Sequence, residues 1–172
     1  MIEFKKASIE DAQEIVTLVN SAYRGESSQK GWTTEAHLLG GQRTDIAMII
    51  EMICDPLSWI ELALLNGKIE GCVNLKLKDH YLYLGMLTVN PEIQNQGIGK
   101  KLLDKVEELA HIQGLSEIRM SILKNRPELE AYYHRRGYTY TGAKEPFPEN
   151  DPRYGLPMEK GYELFELSKK LK

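Results

Sequence analysis

Leu84-Gly-Met-Leu-Thr-Val-Asn-Pro-Glu-Ile-Gln-Asn-Gln-Gly-Ile-Gly-Lys-Lys-Leu-Leu103 is the stretch on which the reading of this chain turns. Its first half has the composition of a strand, and Asn90-Pro91 ends it. Its second half opens a helix whose first turn holds Gly97 and Gly99. The first four N–H groups of a helix have no partner inside it, and the macrodipole places partial positive charge there. Glycine lets an anion approach that backbone without a Cβ in the way, so a phosphate-binding turn is physically sensible. Two well-known phosphate loops fail at named positions. A Walker A loop needs glycine five residues before Gly99, where Gln94 stands, and Ser or Thr where Lys101 stands. A dinucleotide fingerprint needs a third glycine where Leu102 stands.

Outward from this segment the hydrophobic period changes twice. Toward the N-terminus, Met1–Ala7 reads as an edge or hairpin strand, and Ser8 with Asp11 offers a capping box. Ala12, Ile15, Val16, Val19, Ala22 and Tyr23 then follow at helical spacing. Residues 24–43 are polar and glycine-rich around Trp32; they read as a shaped loop with a short helical piece from Thr34 to Leu39. A second helix is expected over Thr44–Cys54. Trp59–Leu65 and Lys68–Lys78 flank Asn66-Gly67, a strong hairpin signal because a type I′ turn needs positive φ at both positions. Tyr81–Val89 is the strand that leads into the glycine turn, and the helix after it runs to about Gln113. Beyond it come a strand at Glu117–Leu123, a helix at Pro127–Arg136, a strand opening at Gly137-Tyr138, a loop over 145–155 and a last strand at Tyr162–Lys169. This order predicts an α/β (α+β) fold in a single domain over residues 1–172, a mixed sheet flanked by helices.

Composition removes several classes. Of 172 residues, 22 are Lys or Arg and 25 are Asp or Glu, a net charge of −3 with the signs interspersed, so no basic face for nucleic acid is expected. No apolar run approaches membrane-spanning length, and Met1–Lys6 lacks the apolar core of a signal peptide. Cys54 and Cys72 form no CxxC, and reduced thiols in a cytoplasmic protein are the expectation.

The turn Gln94-Asn95-Gln96-Gly97-Ile98-Gly99 fits [QR]xxGx[GA], and in its strand–turn–helix setting it resembles the signature of the GNAT family of N-acetyltransferases. Leu123-Lys-Asn-Arg-Pro-Glu-Leu-Glu-Ala-Tyr-Tyr-His-Arg-Arg-Gly-Tyr138 looks like that family's later motif, with Tyr133 four residues before Gly137. Asn125 stands eight residues before Tyr133, one more than the commoner spacing. The resemblance implies a mostly antiparallel sheet in the acyl-CoA N-acyltransferase fold, with acetyl-coenzyme A as cosubstrate. It implies that Leu87, Thr88 and Val89 meet pantetheine as a pseudo-strand. Gln94, Asn95, Gln96, Gly97, Ile98, Gly99 and Lys100 would take the pyrophosphate, with Asn125 a further contact. It implies an amine that attacks the thioester directly through a tetrahedral intermediate, with Tyr133 protonating or hydrogen-bonding the departing thiolate. Tyr132 and Tyr138 read as packing aromatics, and adjacent helix positions keep Tyr132 and Tyr133 from facing the same way. Tyr23, Arg24, Glu26, Trp32 and Arg43 are the candidates for the acceptor wall, with Arg24 or Arg43 for a substrate carboxylate. Glu26, Glu61 and Asp79 are candidate bases, and neither cysteine sits in an activating motif. A small-molecule amine is the expected partner, a homodimer is possible, and a non-catalytic acyl-CoA-binding module of the same fold is the alternative.

Overall fold

In the computed structural model, which describes residues 1–172 apart from Thr33 and Asn125, seven strands form one twisted sheet in the order β1-β3-β4-β5-β6-β9-β7. The strands are β1 (Ile2–Lys6), β3 (Ser58–Leu65), β4 (Lys68–Leu77), β5 (Leu82–Val89), β6 (Glu117–Leu123), β7 (Thr139–Pro146) and β9 (Glu163–Lys170). All neighbours are antiparallel except β5 and β6, which are parallel and joined by helix α4 (Ile98–Ile112). A parallel pair requires such a crossover, and α4 supplies it. Two short strands, β2 (Leu39–Gly40) and β8 (Leu156–Pro157), pair separately.

Helices α1 (Ala12–Tyr23) and α3 (Ile46–Cys54) cover one face, and α4 covers the other. Ile15, Val19 and Ile49 pack with Ile60, Leu62 and Cys72 on the first face. Val73, Leu75 and Leu84 meet Leu102, Val106 and Ala110 on the second. Local chemistry sets the boundaries. The Ser8 N–H donates to Asp11 Oδ2 (2.9 Å), and Asp45 Oδ1 accepts from the Met48 N–H (2.9 Å) at the start of α3. At the β3–β4 hairpin both Asn66 (φ 53°) and Gly67 (φ 78°) are left-handed, as the turn type requires.

Three local expectations are corrected. The Thr34–Leu39 helix does not form: the N–H groups of Leu38 and Leu39 both donate to the Glu35 carbonyl (2.8 Å), after which Leu39-Gly40 pairs with β8. The Arg24–Arg43 loop instead begins with a four-residue helix, α2 (Gly25–Ser28). β7 starts at Thr139 and runs on to Pro146, because β9 offers it partners at Glu163 and Leu164.

Candidate active site

Strands β5 and β6 pair only at Leu82 with Ile118 and Tyr83 with Arg119; beyond that they separate. The separation starts where β5 departs from alternation. Its register against β4 slips between Cys72 and Asn74, and Met86 takes a left-handed φ of 56°. This bulge sends Met86 to the α1–α3 face while Leu87, like Leu84 before it, packs on the α4 side. The Tyr23 hydroxyl donates to the Leu87 carbonyl.

Two cavities fill the gap. The first, about 320 Å³, runs along the glycine turn and is lined by Leu87, Val89, Gln94, Asn95 and Gly97–Lys100. Asn95 (φ 73°) and Gly97 (φ 79°) are left-handed, and the first intrahelical bond of α4 is Lys101 N–H to the Gly97 carbonyl (3.0 Å). The N–H groups at the head of α4 are therefore free of intrahelical partners and line the cleft. A β-carbon built on Gly97 would meet no atom within 4 Å. Lys100 and Arg136 line this cleft, and among the described residues no carboxylate does. Open backbone donors, two cations and no acid are the donor set that a pyrophosphate fits.

The expected cofactor residues divide. Thr88 turns its side chain away, where its hydroxyl donates to the Met86 carbonyl (2.9 Å), and Gln96 does not line the cleft. The Gln94 side chain ties down the 24–43 loop: its Oε1 accepts from the Trp32 N–H (2.8 Å). Gly31 permits that approach, since a β-carbon there would come within 2.3 Å of Gln94 Oε1. Asn125 lies outside the described residues.

Helix α5 (Pro127–His134) supplies the far wall. Tyr133 is 5% exposed and lines both cavities; among the described residues its hydroxyl has no hydrogen-bond partner. Burial, with the neighbouring Tyr23, Tyr132 and Tyr138 adding to it, pushes its phenol well above the usual 10. Tyr132 also lines the cleft, although it diverges from Tyr133: their rings meet edge to face at 5.3 Å and 84°. Tyr132 stacks between Trp32 (centroids 4.9 Å) and the Arg136 guanidinium (3.5 Å from the ring centroid). Tyr138 stays in the core, 1% exposed.

The second cavity, about 520 Å³, lies on the other side of Tyr133. It shares Tyr23, Leu87, Leu129 and Tyr133 with the first. Arg24 and Arg43 line it, Trp32 lines only the first cavity, and Glu26 lies exposed on α2 outside both. Arg24 is 5% exposed and already engaged: Nη1 pairs with Glu35 and Nη2 donates to the Tyr154 carbonyl (3.0 Å). Glu35 also pairs with Arg126 (3.5 Å). The candidate bases Glu61 and Asp79 line neither cavity. Cys72 is fully buried, which pushes its thiol up to about 12, and Cys54 ends α3 outside both cavities. Sequence reasoning gave no role to Glu35, Arg126 or Arg136, and it read Tyr132, which lines the cleft, as a packing aromatic. Arg126, Tyr132 and Arg136 all lie within the second motif, whereas Glu35 lies outside both motifs.

Residues 13–138 match the Acetyltransferase (GNAT) family. The chain belongs to that family. As a GNAT member it is an acetyl-coenzyme A-dependent N-acetyltransferase, with acetyl-CoA as cosubstrate. Among similar curated proteins is the S-alkylcysteine N-acetyltransferase of Bacillus subtilis (strain 168), 30% identical over 146 residues, covering 78% of this chain and 77% of the relative. The GNAT fold recurs in an N-acetyltransferase from Staphylococcus aureus Mu50 (TM-score 0.73, 16% identity, 99% of this chain and 97% of the other). It recurs also in the PaiA N-acetyltransferase of Thermoplasma acidophilum, solved in complex with coenzyme A (TM-score 0.67, 19% identity, 99% of both chains). Among the described residues, no helix of this GNAT chain is long and apolar enough to cross a membrane.

Proposed function

We propose that this enzyme acetylates a small-molecule amine by direct attack on the thioester, with both reactants bound together. The observation that carries this reading is the shared wall: Tyr23, Leu87 and Tyr133 line both the cofactor cleft and the second cavity. Acetyl-CoA supplies the acetyl group as an activated thioester. The α4 N–H groups with Lys100 and Arg136 would hold its phosphates, and the backbone of Leu87–Val89 its pantetheine arm. The Leu87 N–H is assigned to the thioester carbonyl, where negative charge develops.

Tyr133 is assigned the departing sulfur. Burial keeps its phenol protonated at neutral pH, so it presents an O–H. A thiol has a pKa near ~8.5, so full proton transfer from this phenol runs uphill, and Tyr133 acts chiefly by hydrogen-bonding the sulfur as charge builds. The curated Bacillus subtilis relative is named for a small amine substrate, which supports an acceptor of that size.

Thiol release from acetyl-CoA, measured with a panel of amines, tests the reading. Tyr133→Phe is expected to lower kcat about 100-fold while acetyl-CoA still raises the Tm. An unchanged kcat removes Tyr133 from the mechanism.

A further inference from the structure

The second cavity distinguishes its two arginines. Arg24 has both Nη atoms engaged, by Glu35 and the Tyr154 carbonyl, and only its buried Nε lacks a partner. Arg43 is held by its backbone instead: Asn20 Oδ1 accepts from the N–H groups of Arg43 (2.8 Å) and Thr44 (3.0 Å), and Asn20 Nδ2 donates to the Thr44 carbonyl (3.0 Å). Its guanidinium lies 5.7 Å from the centroid of the Tyr23 ring, at the shared wall. Among the described residues no carboxylate comes within 4 Å of that guanidinium, and its side chain makes no hydrogen bond. The cavity thus contains a placed, half-buried cation whose fork is open.

The carboxylates that line the cavity do not offset it. Glu35 is shared between Arg24 and Arg126. Glu145 sits on the exposed edge strand β7, where solvent screens it. The apolar part of the wall is thioether-rich, with Met48, Met52, Met86 and Met120 all lining it. Methionine is unbranched and polarisable, and it conforms to flexible apolar groups.

Together these point to one class of acceptor. We infer that the acceptor is an amino carboxylate: a primary amine whose own carboxylate binds Arg43 and whose uncharged, apolar arm lies along the methionines. Arg43 is then a specificity residue, since its fork matches a carboxylate in two places and the Tyr23 ring beneath it fixes where that carboxylate sits. A polyamine brings a second cation toward Arg43 and finds no unspent carboxylate in the interior. This inference rests on the acetyl-transfer reading above for the identity of the cavity.

Two readouts test it separately from that reading. In thermal shift with coenzyme A present, L-methionine or L-norleucine is expected to raise the Tm, and the corresponding amides and spermidine are not. Arg43→Gln is expected to erase the acid–amide difference while leaving the shift due to coenzyme A alone intact, and Arg43→Lys to retain part of it. In the thiol-release assay, the acid-to-amide ratio of kcat/KM is expected to fall at least about tenfold in Arg43→Gln. Equal binding of acids and amides, stronger binding of spermidine, or an equal loss for acid and amide in Arg43→Gln overturns the inference. Binding in the expected pattern without thiol release supports it and overturns the acetyl-transfer reading instead.

Discussion

The cofactor cleft and the acceptor chamber of the proposed reading share a wall of Tyr23, Leu87, Leu129 and Tyr133, yet they are built by opposite means. The cleft takes its chemistry from a contiguous run, Gln94–Lys100, and from backbone N–H groups that any sequence with the right glycines would present. The chamber collects side chains from Tyr23 to Leu164, carried by several strands, by α1, α3 and α5, and by the segments over 24–43 and 147–154. The cleft is lined by cations without a carboxylate; the chamber holds both signs, with Arg24 and Glu35 paired and Arg43 and Glu145 outside any ion pair among the described residues. A family can therefore keep the first site by holding one short motif. The second site changes with every loop that reaches it, which is why the proposed reading puts acceptor choice there.

The largest effect expected from pressing on this contrast is one of stability. Arg24→Gln leaves Glu35, 13% exposed at its side chain, with Arg126 as its remaining ion-pair partner. Breaking a buried pair of this kind costs about 3 kcal/mol, or roughly 6–12 °C in Tm for a chain of this size. Arg43→Gln, which breaks no ion pair, is expected to move the Tm by less than about 2 °C. Calorimetry on the two variants checks the contrast, and equal losses would erase the distinction between a structural and a substrate-facing arginine.

On the cleft side the expected effect is smaller and falls on binding. A β-carbon at Gly99 would stand 3.0 Å from the Tyr132 hydroxyl and 3.6 Å from Val89 Cγ2. Gly99→Val is expected to raise the KM for acetyl-CoA about tenfold, with the KM for the amine little changed. A reverse split would move the cofactor out of this cleft.

The smallest effect lies at the junction. A phenol whose folded pKa is raised keeps its proton to higher pH, so the Tyr133 O–H persists past pH 10. An amine of pKa about 10.4 must lose a proton to attack. The profile of kcat/KM is expected to rise from pH 6 to 9.5 with no falling limb. A fall with a midpoint below pH 9 would contradict the assignment of Tyr133.

What was legible in the sequence follows the same division. The glycine turn, the Asn66-Gly67 hairpin and the α4 stripe are local: each is fixed by residues a few positions apart, and each is where the pattern placed it. The bulge at Met86 is not local. It shows only as a slip against β4, and an alternating Leu82–Val89 strand carries no sign of it. The Thr34–Leu39 segment has helical composition, but Glu35 is drawn between two arginines and Leu39-Gly40 is claimed by Leu156-Pro157, more than a hundred residues away. The same non-local pairing separates Arg24 from Arg43, which read alike in sequence.

The central claim is that cleft and chamber are filled together, so that the amine meets the thioester with no acyl-enzyme between. Initial velocities measured over a grid of acetyl-CoA and amine concentrations test it most directly. The account predicts double-reciprocal lines that intersect, as a ternary complex requires. Parallel lines, the mark of a covalent acyl-enzyme relayed through ping-pong kinetics, would contradict it.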